Sequence, residues 1–123
     1  SMIECIATLP TQSKVVLYSM LLLDQMGQTI FTSGEVSRIY KEIAPVLDLD
    51  VLTHRRITDL ISELNMLGVI NTRIVSRGRY GRTKEMWFDT NTRKIWDVIT
   101  SDARLSAQGI IKKDVQWCIS LFR

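Results

Sequence analysis

Reactive side chains are scarce in this sequence. There is one histidine, His54, and there are two cysteines, Cys5 and Cys118, near opposite ends. The cysteines have neither CxxC nor metal-ligand spacing. A bond between them is left open by the sequence, and we read both as reduced, as in a cytosolic chain. His54 has no Cys or acid at ligand spacing, so it is not a metal site. It is either a surface residue at a helix start or a phosphate contact. No nucleophile–base pair, carboxylate dyad or metal cluster is visible, which speaks against an enzyme. The longest strongly apolar run, Val15 to Leu23, has nine residues and is interrupted by Ser19. A membrane span needs about twenty, so the run reads as a core helix with no membrane role. No signal peptide, internal repeat or low-complexity segment is apparent. Ser1-Met2 reads as a vector remnant ahead of the natural sequence.

Acid is missing where base is most dense. Between Arg73 and Lys84 there are five of the sixteen Lys/Arg residues and no Asp or Glu. The net charge of +3 is modest, so its placement carries the information. A strand is expected to lead in from Val69 to Ser76 and another to lead out from Thr83 to Asp89. Gly78 and Gly81 would supply the positive φ of a tight tip. The result is a hairpin whose tip holds Arg77, Arg79, Tyr80 and Arg82, with Arg73 and Lys84 on its stem. Such a tip has nothing to bury, and its natural acceptor is a polyanion.

With 123 residues, 46% of them apolar, the chain is one domain able to bury a core without staples. A first helix is expected from Pro10, at its first position, to about Met26, with Gly27 as its stop. It is apolar on nearly every face, so it should be central. Thr29-Ile30-Phe31 suggests a brief strand. Thr32 and Glu35 form a capping box for a second helix, with Val36, Ile39, Tyr40 and Ile43 at helical spacing. Pro45 should end or kink it near Ala44. The start of this helix could hold a phosphate on its N–H groups, or Thr32 and Ser33 could simply cap it.

A third helix should start at the N-cap Thr53 and run to Leu67, stopping at Gly68. Ile57, Leu60, Ile61, Leu64 and Leu67 make its apolar stripe. Arg55, Asp59, Ser62 and Met66 fall opposite, with Thr58 and Arg56 on the shoulders. Arg55 could pair with Asp59 four residues on, or Asp59 could orient Arg55 toward a base edge or phosphate. Ser62 is a candidate hydrogen-bonder, and Arg56 suits phosphate. After the hairpin, Asn91-Thr92 starts a fourth helix with Ile95, Trp96, Val98 and Ile99. A last amphipathic helix is expected over about 107–122, with Ile111, Val115, Cys118, Ile119 and Phe122 as its stripe. Trp87, Trp96 and Trp117 read as core or interface residues. Tyr80 suits sugar or phosphate contact.

Helix, short strand, helix, helix and hairpin is the winged-helix order. The fold class is therefore mainly α with a small β-hairpin, a core over about 8–90 and a helical extension over about 91–123. In that architecture the third helix enters the DNA major groove, and the wing follows the backbone or the adjacent minor groove. The candidate DNA-binding set is Thr53, His54, Arg55, Arg56, Thr58, Asp59, Ser62, Arg73, Arg77, Gly78, Arg79, Tyr80, Gly81, Arg82 and Lys84. Two other readings stay open. One is a dimeric transcriptional regulator with its terminal helices as the seam, and the other is a winged helix that binds protein.

Three stretches carry a family resemblance. They are Leu9-Pro10 with Lys14-Val15-Val16-Leu17; Thr53-His54-Arg55-Arg56 running into Leu60 through Gly68; and Ser76-Arg77-Gly78-Arg79-Tyr80-Gly81-Arg82-Thr83. Together they resemble the C-terminal winged-helix domain of the archaeal origin-recognition-complex and cell-division-cycle-six replication initiators, over roughly residues 6 to 105. The resemblance implies a double-stranded DNA-binding module that recognises replication-origin elements. It also implies an AAA+ module in the parent protein, which would hold ATP and magnesium and act as the ATPase. This chain has no GxxxxGK[ST] loop, so it is expected to carry no cofactor and no enzymatic activity. Its own AAA+ module and other replication proteins are the implied partners, and a cytoplasmic, nucleoid-associated location follows.

Overall fold

A computed structural model describes residues 1–107 and Ser120. The expected last amphipathic helix, with Trp117 and Cys118, lies outside the described residues save for Ser120. The order of elements is α1 (Met2–Ala7), α2 (Thr11–Gln25), β1 (Phe31–Thr32), α3 (Ser33–Val46), α4 (His54–Met66), β2 (Asn71–Ser76), β3 (Arg82–Trp87), α5 (Thr92–Thr100) and α6 (Ala103–Ala107). The three strands form one antiparallel sheet in the order β1-β3-β2. This is a winged helix, and the expected recognition helix is α4.

The all-round apolar helix is central. Val15 through Leu23 are all buried, including Ser19, whose hydroxyl donates to the Val15 carbonyl at 2.8 Å. α3, α4 and α5 all pack against α2. One helix, α1, was not expected. Ser1 caps it by accepting from the Glu4 N–H, and Ile6 alone among its residues is fully buried. A single anchoring residue leaves no periodic stripe for a sequence reading to find. Pro10 is the residue just before α2, not its first helical position. Gly27 adopts φ 87° at the end of α2, as expected.

The capping box is formed. Thr32 Oγ1 accepts from the Glu35 N–H at 3.2 Å, and the Glu35 carboxylate accepts from the Thr32 N–H at 2.8 Å. The same carboxylate takes Gln28 Nε2 at 2.7 Å. A carboxylate already seated at this helix start favours plain capping over a phosphate site. The strand before it is Phe31–Thr32, and Ile30 is exposed beyond its end.

Pro45 does not end α3 near Ala44; the helix runs through it to Val46. Pro45 sits in the last turn, where one missing N–H removes only one bond of the ladder. The helix ends instead at Asp48, which takes φ 57°. There the Leu49 N–H returns to the Ala44 carbonyl at 3.0 Å, and the Asp48 N–H to the Pro45 carbonyl at 3.0 Å. This is the left-handed helix terminus usually given to glycine.

A buried phenol then aims the chain into α4. The Tyr40 hydroxyl donates to Gln12 Oε1 at 2.6 Å and accepts from the Leu52 N–H at 3.0 Å. Gln12 Nε2 in turn donates to the Asp50 carbonyl at 2.9 Å. The α3–α4 turn is thus fixed to α2 one residue before the recognition helix is capped.

At the other end, Lys14 Nζ meets Asp102 Oδ2 at 2.8 Å, with the two side chains 13% and 17% exposed. Burial pushes the Asp102 carboxyl up. The hydrogen bond from Lys14, the Leu105 N–H, the Lys14 charge and the Arg104 N–H outweigh it and hold the carboxyl below its ordinary 3.8. A carboxyl depressed in the folded state stabilises the fold above its unfolded value, and that contribution is lost as pH falls through the folded value. The expected stability difference between the parent and Asp102→Asn is about 1 kcal/mol near neutral pH. It should shrink as pH falls below 3.8. Thermal unfolding of both proteins across acid pH checks this.

Candidate nucleic-acid interface

Helix α4 is built with one face in the core. Ile57, Leu60, Ile61 and Leu64 are buried, but Leu67 is 48% exposed. Leu67 is the C-cap, and the chain turns away at Gly68 with φ 78° before the stripe would repeat. Val69 and Ile70, buried between α4 and β2, take the core position instead. Thr53 Oγ1 accepts from the Arg56 N–H at 3.2 Å, which starts the helix as expected.

Thr53, His54, Arg55, Arg56 and Asp59 are exposed, while Thr58 and Ser62 are half-buried. The ion pair on this face is not the expected one. Asp59 meets Arg56 at 3.4 Å, three residues back, and among the described residues Arg55 has no ion pair. The Thr58 hydroxyl donates to the His54 carbonyl at 2.9 Å, so its proton is used within the helix. Met66, 85% exposed, extends the same outward face beyond Ser62. Its i+4 spacing from Ser62 could have brought it into the candidate set.

The hairpin strands run over Asn71–Ser76 and Arg82–Trp87, each shorter than expected at the end away from the tip, while the second begins one residue earlier than expected. The tip is a 3-10 turn over Gly78–Tyr80. Gly78 has φ 61° and Gly81 φ 87°, and a Cβ at either would meet only open space. Backbone conformation, not crowding, therefore selects glycine at both. The Arg77 N–H closes the turn on the Gly81 carbonyl at 2.7 Å. Tyr80 is 82% exposed, with the Arg79 guanidinium 5.6 Å from its ring centre.

Register divides the hairpin into two faces. Thr72, Ile74 and Ser76 pair with Met86, Lys84 and Arg82. Met86 is in the core, so this row faces the helices. Lys84 Nζ donates to Ser62 Oγ at 2.9 Å and ties the wing to α4. The other row joins Asn71, Arg73 and Val75 to Trp87, Glu85 and Thr83. Arg73 is bound to Glu85 through Nε at 2.9 Å and NH2 at 2.8 Å, and it lies over the Trp87 ring at 5.3 Å. Arg77 reaches the second Glu85 oxygen at 3.4 Å. Trp87 Nε1 donates to Asp89, which also takes Asn71 Nδ2.

The charge of this stretch is therefore not wholly uncompensated. Glu85, the first acid after the basic run, neutralises part of it across the hairpin. Among the described residues, Arg79 and Arg82 remain without ion pairs, and so does Arg55 on α4. Among the described residues no cluster of His, Cys, Asp or Glu could hold a metal ion. Among them, too, no helix is long and apolar enough to cross a membrane.

A family model described as "CDC6, C terminal winged helix domain" matches residues 4–98. The chain belongs to that family. This Cdc6-type winged helix is 69% identical to an ORC1-type DNA replication protein of Methanoculleus marisnigri over its whole length, covering 29% of that protein. It is 52% identical to the ORC1-type protein of Pyrococcus abyssi over 99 residues, covering 80% of the chain and 24% of the relative. It thus spans about a quarter to three-tenths of the length of these relatives. The solved ORC1 of Aeropyrum pernix in complex with DNA superimposes with a TM-score of 0.77 at 37% identity, over 86% of this chain and 28% of that one. A Drosophila ORC structure bound to DNA shares the fold at 15% identity and a TM-score of 0.64, over 79% of this chain and 24% of that one. The family match reaches α1 and extends through most of α5, so both belong to the shared domain.

Proposed function

We propose that this chain is the double-stranded DNA-binding module of a replication initiator that recognises origin elements. α4 lies in the major groove and the wing enters the adjacent minor groove. One observation carries the reading: the exposed arginines without an ion pair among the described residues, Arg55 at the start of α4 and Arg79 and Arg82 at the wing, sit on elements joined by the Lys84–Ser62 bond. A single rigid surface therefore presents a helix and a hairpin together. That a solved relative with the same fold is in complex with DNA supports DNA binding by this chain.

In this mechanism Arg79 and Arg82 meet phosphate or the minor-groove floor, and Tyr80 packs on sugar. Arg55 reads a base edge or phosphate, while Arg56 and His54 take backbone. Thr53 and Thr58 shape the start of α4. Ser62 is held by Lys84, with its own hydroxyl proton still free to donate outward. Phosphate contacts set the register, and the few base contacts of α4 specify sequence. The module itself needs no cofactor. ATP and magnesium belong to an AAA+ module of the parent protein, which with other replication proteins completes the assembly at the nucleoid.

Fluorescence anisotropy on an origin-type duplex and a scrambled one, at low and physiological salt, tests the proposal. Steeply salt-dependent binding that favours the origin duplex is expected. Equal binding to both would reduce the module to a backbone grip. Absent or salt-insensitive binding would overturn the reading in favour of a protein-binding winged helix.

A further inference from the structure

The Glu85 carboxylate faces two arginines and little else. Its side chain is 14% exposed, whereas those of Arg73 and Arg77 are 54% and 50% exposed. Arg73 holds one carboxylate oxygen through two nitrogens, and Arg77 holds the other more loosely at 3.4 Å. Two positive charges and one negative leave this cluster with a net charge of about one, and Asp89, bound to Trp87 and Asn71 of the same row, is a second acid on this side of the hairpin. The side carrying Arg82 and Lys84 has no acid in its paired row. A ribbon that enters a groove has a phosphate strand on either side of it. The Arg73–Arg77 side cannot grip phosphate without first breaking an ion pair, while on the other row, which faces the helices, Lys84 is taken by Ser62 and only Arg82 has no ion pair among the described residues.

We infer that Glu85 is a specificity-determining positioning residue that limits sequence-independent DNA binding by holding Arg73 and Arg77 away from phosphate. The inference rests on the DNA-binding reading above. An arginine bound to carboxylate uses the same fork that would take a phosphate. DNA must therefore compete with an acid already placed by the β2–β3 register, in which Glu85 stands directly opposite Arg73. Grip is left to the tip arginines, which engage only when the wing is seated. Rapid release from non-origin duplex follows from this arrangement.

The test is Glu85→Gln, which keeps the shape and an acceptor oxygen and removes the charge. Affinity for a scrambled duplex should rise about fivefold at physiological salt for each arginine that finds a phosphate, and the slope of log affinity against log salt should steepen by about 0.9 for each. Adding Arg73→Gln and Arg77→Gln to Glu85→Gln should return the slope to the parent value, which separates released arginines from simple loss of repulsion. A thermal midpoint close to the parent's confirms that the wing remains folded. An unchanged affinity and slope in a folded Glu85→Gln protein, beside normal binding by the parent, overturns this inference and leaves the DNA-binding reading standing. A gain that persists in the triple variant overturns it as well. Absence of salt-dependent binding in the parent overturns both.

Discussion

Replacing Arg79 and Arg82 together by alanine should weaken duplex binding about thirtyfold at physiological salt. Each is exposed at the wing and has no ion pair among the described residues, so each can displace a counterion from a phosphate. One phosphate contact contributes about 0.9 to the salt slope, so the double variant should lose about 1.8. The parent should itself be steep. If the surface neutralises about six phosphates, a fourfold rise in salt weakens binding roughly a thousandfold. The loss caused by the double variant must then narrow as salt rises, which a purely structural defect would not produce. Equal weakening on origin and scrambled duplexes assigns both arginines to phosphate, and a relaxed preference assigns them to the minor groove. Arg73→Ala is the internal contrast, because its guanidinium is already bound by Glu85 at 2.8 Å. It should change affinity much less. Unchanged binding in the double variant would remove the wing from the interface.

What the sequence disclosed and what it hid have separable causes. The capping box at Thr32, the glycine tip of the wing and the buried length of α2 were legible because each depends on residues within about one turn of one another. The order of elements followed from those local signals, and with it the winged helix. Interactions across the fold were not legible. Charge counting along the chain stops at Lys84 and misses that Glu85 lies opposite Arg73, because only strand register brings them together. Lys84 counted as one more free base, yet it is spent on Ser62, 22 positions away in sequence. Asp59 could face either of two arginines on one helix face, and the rotamer chosen in three dimensions decided for Arg56. The Gln12–Tyr40–Leu52 link joins three elements by hydroxyl and amide groups that have no pattern of their own. The consequence for the site is specific: helical position identified the outward face of α4, but not which arginines remain available to a polyanion.

The same distinction predicts a large contrast between two leucines of similar standing in sequence. Leu22→Ala should lower stability by about 3 kcal/mol or more, whereas Leu67→Ala should change it by less than about 0.5 kcal/mol. Leu22 is fully buried on α2, the helix against which α3, α4 and α5 all pack. Removing its side chain loses the transfer free energy of three carbons and leaves a void in the core. A helix packed on by three others has little freedom to move into the space, so relaxation should be small and the cost substantial. Leu67 looks like the last residue of an apolar stripe, but it is 48% exposed where the chain leaves α4. Little area returns to water when it is truncated. In thermal unfolding, Leu22→Ala should lower the midpoint by about 10 °C or more for a domain of this size. Leu67→Ala should leave the midpoint nearly in place. Similar losses at both positions would mean that α4 continues its stripe through Leu67 into a covered site, and that the left-handed turn at Gly68 does not direct Val69 and Ile70 into the core in its stead.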